Sequence, residues 1–160
     1  MRVLHALFYA LIGSFLFPIV GALLLLPVFA AVLLWHFLPT AITALYFAQP
    51  ITFLSVPFVE AEGNSLLVIP AFGAFFFALG GAFMRPLGDW RFDDVRLLRC
   101  FCGEVMGWMA RGVVFGGVWG AILGFALANI ETGVIMGAIW GEIGGLIVGT
   151  ARGAFVRKAT

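Results

Sequence analysis

Between Val3 and Met84 the chain carries no lysine or arginine, and Val3–Trp35 carries no charged residue of either sign. That stretch exceeds the roughly 20 apolar residues that carry a helix across a hydrocarbon core of about 30 Å. Composition agrees with a chain solvated by lipid. Of 160 residues, 63% are hydrophobic and 11% charged, against about 45–50% and about 25% in a soluble domain. So little polar surface cannot coat a water-soluble particle. A cytosolic enzyme, a nucleic-acid binder and a disordered tail are thereby excluded. The expected fold is all-α: a polytopic transmembrane helical bundle, residues 1–160 forming a single integral membrane domain. At about 20 residues per crossing the length allows four to six spans, and three hairpins is the favoured arrangement.

As one straight helix Val3–Trp35 would measure about 50 Å. Its centre holds Pro18 and Gly21, which remove a helix hydrogen bond and loosen the backbone. Two readings fit: an apolar hairpin turning at Phe17–Gly21, or one long tilted helix kinked at Pro18 and Pro27. Trp35–Thr40 reads as an interfacial break. A second span is expected over 41–59, an acidic turn over Glu60–Ser65, and a further span over 66–84. Residues 85–104 form the substantial polar segment and read as an amphipathic helix on the cytoplasmic surface, with an ordinary solvated loop as the alternative because Asp94 interrupts the apolar face. Leu97, Leu98, Phe101 and Val105 share its apolar face with Trp90, and Arg96 and Arg99 lie on the other. The last spans are expected at 105–128 and 133–153. A connection as short as Asn129–Thr132 makes them antiparallel neighbours.

Basic residues orient the bundle, because loops rich in Lys and Arg stay on the cytoplasmic side. Arg85, Arg91, Arg96, Arg99 and Arg111 mark one side, and Arg152, Arg157 and Lys158 mark it again one hairpin later. The turns at 60–65 and 129–132 carry neither Lys nor Arg and belong opposite. The protein is therefore expected in a cell (inner) membrane, or the equivalent organelle membrane, with its C-terminus cytoplasmic. With 41–59 counted as a separate span, Arg2 joins the basic side only if 3–35 is a hairpin, which favours that reading.

The most specific pattern is a pair of glycine ladders. Gly133, Gly137, Gly141, Gly145, Gly149 and Gly153 recur every fourth residue, and the preceding helix carries Gly112, Gly116, Gly120 and Gly124. Lipid is as apolar as leucine, so apolar burial does not drive helices together in a membrane. Close backbone approach at small residues does. The expectation is a glycine-zipper C-terminal hairpin. The ladders either hold this hairpin together or present one stripe to another subunit.

Glu142 is the candidate ion or proton site. It lies deep within the last span, where a carboxylate costs about 2.5 kcal/mol or more. It must be protonated, paired or facing water. With the hairpin centred near Ile130, Trp119 is the expected indole donor to it. Arg111 and Arg152 read as snorkelling anchors at the cytoplasmic helix ends.

His5 and His36 are single, and Cys100 and Cys102 lack further ligands nearby, so neither a metal site nor a cofactor is expected. No nucleophile–base set marks an enzyme. The expectation is a small non-enzymatic multi-pass protein that self-associates in the lipid bilayer, as a channel or transport component using Glu142. The alternative is an accessory or assembly subunit docked on a membrane-complex partner, with Glu142 structural.

Overall fold

The computed structural model describes residues 2–47, 65–84 and 93–155. Among them are four α-helices and no strand: α1 (Arg2–Phe47), α2 (Ser65–Phe83), α3 (Asp93–Ala126) and α4 (Ile130–Ala154). Three of these, α1, α3 and α4, are long and apolar enough to cross a membrane, and α2 contains the shorter apolar stretch Leu67–Phe83.

The first helix departs from the favoured sequence reading. It runs unbroken for 46 residues through Pro18, Pro27 and Pro39, about 69 Å at 1.5 Å per residue. No turn forms at Phe17–Gly21, and Trp35–Thr40 is not a break. The reason is energetic. A proline inside a helix costs about 3 kcal/mol. An open turn in hydrocarbon strands several backbone groups at several kcal/mol each. Near Pro39 the hydroxyls of Thr40 and Thr43 donate to the carbonyls of His36 and Pro39, each at 3.0 Å.

The start of the expected 41–59 span is thus the last two turns of α1. The rest of that span, nearly all of the acidic turn, residues 85–92 and residues 156–160 lie outside the described residues. Nor is the amphipathic segment a separate helix. From Asp93 it continues directly into the span as α3. Its faces divide as the sequence suggests: Phe101 and Val105 are buried, Leu97 and Leu98 half-buried against the core, and Arg96 and Arg99 exposed.

The helices form two antiparallel pairs. In the first, Tyr9 of α1 packs on Gly81 of α2, and Gly13 meets both Gly73 and Phe77. In the second, α3 and α4 run against each other over almost their whole length, from Phe101 beside Gly153 to Gly124 beside Ile130.

The pairs join around Phe101, which is fully buried. Its ring stands edge-on to Tyr9 of α1 at 5.0 Å and to Phe77 of α2 at 5.2 Å. Such pairs add about 0.5–1.5 kcal/mol each beyond their buried area. Gly80 and Gly153 make room for this ring: a Cβ on either would come within 2.8 Å of it.

Further along, Glu142 of α4 meets Gly21 of α1, and Glu131 forms an ion pair with His36. α1 therefore runs antiparallel to α4. Arg2, Arg96, Arg99 and Arg152 fall at one end of the bundle, and the α3–α4 turn at the other. Arg2 reaches the basic end without a hairpin in 3–35, because α1 absorbs the start of the second expected span.

Candidate functional site

The two glycine series face each other between α3 and α4. A Cβ built on Gly112 or Gly141 would strike the other's carbonyl oxygen. The same holds for Gly116 with Gly137 and for Gly120 with Gly133. Gly124 lies against Asn129 and Ile130. Toward the basic end Gly145 rests on Trp108 and Met109, Gly149 on Val105, and Gly153 on Phe101. All ten glycines are thus engaged within one chain. At these distances only hydrogen fits on either helix, and the adjacent backbones gain dispersion and Cα–H contacts.

The turn closing this pair is tight for a specific reason. Ala128 adopts the left-handed conformation, φ 56°, and the Asn129 N–H donates to the Gly124 carbonyl at 2.8 Å. That is the bond of a Schellman cap. The Asn129 side chain then accepts from the Thr132 N–H at 3.3 Å and caps α4. Pairing of Gly124 with Asn129 and Gly120 with Gly133 centres the hairpin near Ala126–Leu127, not Ile130.

This shift moves the level of Glu142. With Gly112 opposite Gly141, Glu142 lies level with Arg111 and about two turns from Trp119. Trp119 is half-exposed and packs on Phe115, 6.2 Å between ring centres. It is not the donor the sequence suggests. Arg111 is correspondingly deeper than a helix-end anchor. Its guanidinium reaches back over Trp108, and no ion pair joins it to Glu142 among the described residues.

Glu142 points the other way, into the seam between α4 and α1. It is only 4% exposed. Its carboxyl occupies a notch in α1 at Gly21, itself buried, where a Cβ would come to 2.6 Å of Oε1. The oxygen Oε1 is buried and has no hydrogen-bond partner among the described residues. Burial without a partner is the costly state for a carboxyl. Glu142 is twelve residues past Ile130, about 18 Å along α4 at 1.5 Å per residue, near the middle of a helix long and apolar enough to cross a membrane.

No protein family, curated protein or solved structure matches the chain. The site therefore rests on its own chemistry.

Sequence reasoning missed Gly21 as the wall of the Glu142 notch. In the sequence, Gly21 beside Pro18 signals only a loosened backbone. Sequence reasoning also missed Gly13, Gly73, Gly80 and Gly81, which let α1, α2 and α3 approach. A signal was present: Tyr9, Gly13, Phe17 and Gly21, like Gly73, Phe77 and Gly81, recur every fourth residue, as one buried helix stripe does.

Proposed function

We propose that this is a small non-enzymatic multi-pass membrane protein, a transport component in which Glu142 binds and releases a proton or cation at the α1–α4 seam. One observation carries the reading. A carboxyl oxygen inside a membrane span is buried without a hydrogen-bond partner among the described residues. Buried polar groups are nearly always paired, and an unpaired ionisable group at membrane depth belongs by default to an ion or proton path.

The glycine-zipper hairpin is the rigid scaffold of this site. Its ladders set the position of α4, and α4 sets the position of Glu142 against α1. The basic end of the bundle is the cytoplasmic one. Self-association, where it occurs, uses a face other than the ladders, which are engaged inside the chain.

The test is ion flux in liposomes carrying purified protein. Wild type is expected to pass protons or a monovalent cation. Glu142→Gln keeps the shape of the side chain and is expected to abolish that flux with the helical content unchanged. Flux that survives Glu142→Gln would overturn the reading.

A second reading has its own support. Beyond His36, α1 continues past its contact with the α3–α4 turn, and Leu45 and Tyr46 are more than four-fifths exposed. An accessory subunit docked on a membrane-complex partner would use such a surface, with Glu142 structural. A stoichiometric partner in a mild-detergent extract, together with silent wild-type liposomes, would favour it.

A further inference from the structure

The α3–α4 pair has a second side, turned away from Glu142. There the close approach of the helices leaves an open groove of about 870 Å³. Gly116 and Gly144 belong to its floor, Trp108, Phe115 and Val118 to its walls, and Arg111 stands over it. The lining is almost wholly apolar. From Trp108 to Val118 the groove runs about 15 Å along α3, and Arg111, level with Glu142, carries its guanidinium back toward the basic end over Trp108.

Its basic end is charged. The Arg111 guanidinium lies 5.1 Å from the centre of the Trp108 ring, and that of Arg152 lies 5.2 Å from the same ring. The two come from different helices and converge on one indole. Neither has a carboxylate within ion-pair distance among the described residues, where His36–Glu131 is the ion pair present. The indole N–H beside them is buried and also lacks a partner among those residues. Two like charges over one ring, with no carboxylate in ion-pair distance among the described residues, call for an anion from outside the chain.

We propose that this groove binds one anionic phospholipid, its phosphate held by Arg111 and Arg152 where they meet over Trp108 and one acyl chain lying over the glycine floor. Basic pockets between membrane helices at the cytoplasmic side recognise lipid phosphates in this way. Charge complementarity, two guanidiniums without a carboxylate in ion-pair distance among the described residues, selects an anionic lipid over a second copy of the chain. This site is independent of Glu142, which does not line the groove and is buried against Gly21 of α1.

The experiment is native mass spectrometry of the protein in mild detergent. It is incubated in turn with dioleoyl phosphatidylglycerol, with dioleoyl phosphatidylcholine and with inorganic phosphate. One phosphatidylglycerol per chain is expected to be retained, in preference to phosphatidylcholine, and inorganic phosphate alone is expected not to bind. Replacing both arginines, Arg111→Gln with Arg152→Gln, should weaken phosphatidylglycerol binding about 25-fold, about fivefold for each guanidinium.

Gly144→Leu provides a second route. A Cβ at Gly144 meets nothing within 4 Å, so the leucine fills the groove without disturbing the helix pair. It should lower lipid retention with extraction yield unchanged. Equal retention of the two lipids, binding of free phosphate as tight as that of the lipid, or full retention in either variant would overturn the proposal. So would a shift from oligomer to monomer in Gly144→Leu with lipid still bound, since the groove would then hold a second copy of the chain.

Discussion

The carboxyl of Glu142 is seated against the backbone of Gly21, two helices and more than a hundred residues apart in sequence. A methyl group on Gly21 would meet Oε1 at 2.6 Å. What it meets is the free end of a flexible side chain, which can move. Gly21→Ala is therefore expected to shift the carboxyl and spare the helix, changing stability by less than about 1 kcal/mol while reducing Glu142-dependent flux. Steric-trap unfolding and liposome flux measured on the same preparation check this. A large loss of stability with normal flux would show that the notch holds the helices together and does not position the carboxyl.

The ladder glycines behave differently, because what a new side chain would meet there is backbone. At Gly141 a Cβ would strike the carbonyl of Gly112, so Gly141→Ala must force α3 and α4 apart. A loss of about 1–3 kcal/mol is expected. Gly144 sits three residues away on the open side, and Gly144→Ala should be neutral or stabilising by up to about 1 kcal/mol, as alanine restricts the unfolded backbone. The contrast between neighbouring glycines is the measurement. Equal effects at both sites would mean that the ladder does not face α3.

A buried carboxyl whose Oε1 lacks a hydrogen-bond partner among the described residues should be a burden on stability. Glu142→Met keeps a long unbranched side chain and removes the polar group. It is expected to stabilise the bundle by about 1–3 kcal/mol, the scale of the insertion cost of a central acidic residue, while abolishing flux. Destabilisation by this substitution would reveal a partner for Glu142 that a single chain does not supply.

The turn offers a test of backbone strain. Ala128 holds φ 56°, a left-handed conformation that costs an L-residue about 1–2 kcal/mol and glycine almost nothing. Ala128→Gly should raise stability by about 1 kcal/mol. No gain, or a loss, would indicate that the hairpin closes by a different cap.

Orientation and the course of α1 can be probed together. In a chain with Cys100 and Cys102 replaced by serine, single cysteines at Arg2 and Arg99 should label from one side of the membrane. Cysteines at His36 and Thr132 should label from the other. A hairpin in α1 would return His36 to the side of Arg2, and labelling of both from that side would refute a continuous helix. The His36–Glu131 contact is largely exposed, so His36→Ala should cost no more than about 1 kcal/mol.

Much of the organisation was legible in the residues. The α3–α4 pair was readable because its signals are local: a four-residue glycine period on each helix and a four-residue polar joint, Asn129–Thr132. The buried and exposed faces of 96–105 followed from helical spacing for the same reason. The course of α1 was harder to read. Pro18 beside Gly21 is a strong turn signal in water, where freed backbone groups bind solvent. In an apolar setting those groups have no such partner, and the helix continues.

The level of Glu142 was lost through a smaller cause, a turn centre displaced by a few residues. Ala128 in the left-handed region lets α3 and α4 pair directly behind it, which brings Arg111 opposite Glu142. Nothing in the identity of an alanine signals that conformation.

By itself, the sequence determined that this chain is helical, that it has helices long and apolar enough to cross a membrane, which of them carry a four-residue glycine stripe, and that one carboxyl lies midway along the last of them. These are properties of single helices, and hydropathy and period state them directly. Tertiary structure alone decided that α1 crosses over to α4, that Gly21 forms the notch for Glu142, and that Arg111 and Arg152 share the Trp108 ring. Those relations depend on register and rotation between helices. They are settled where small residues let backbones touch, by contacts between positions that no local pattern links.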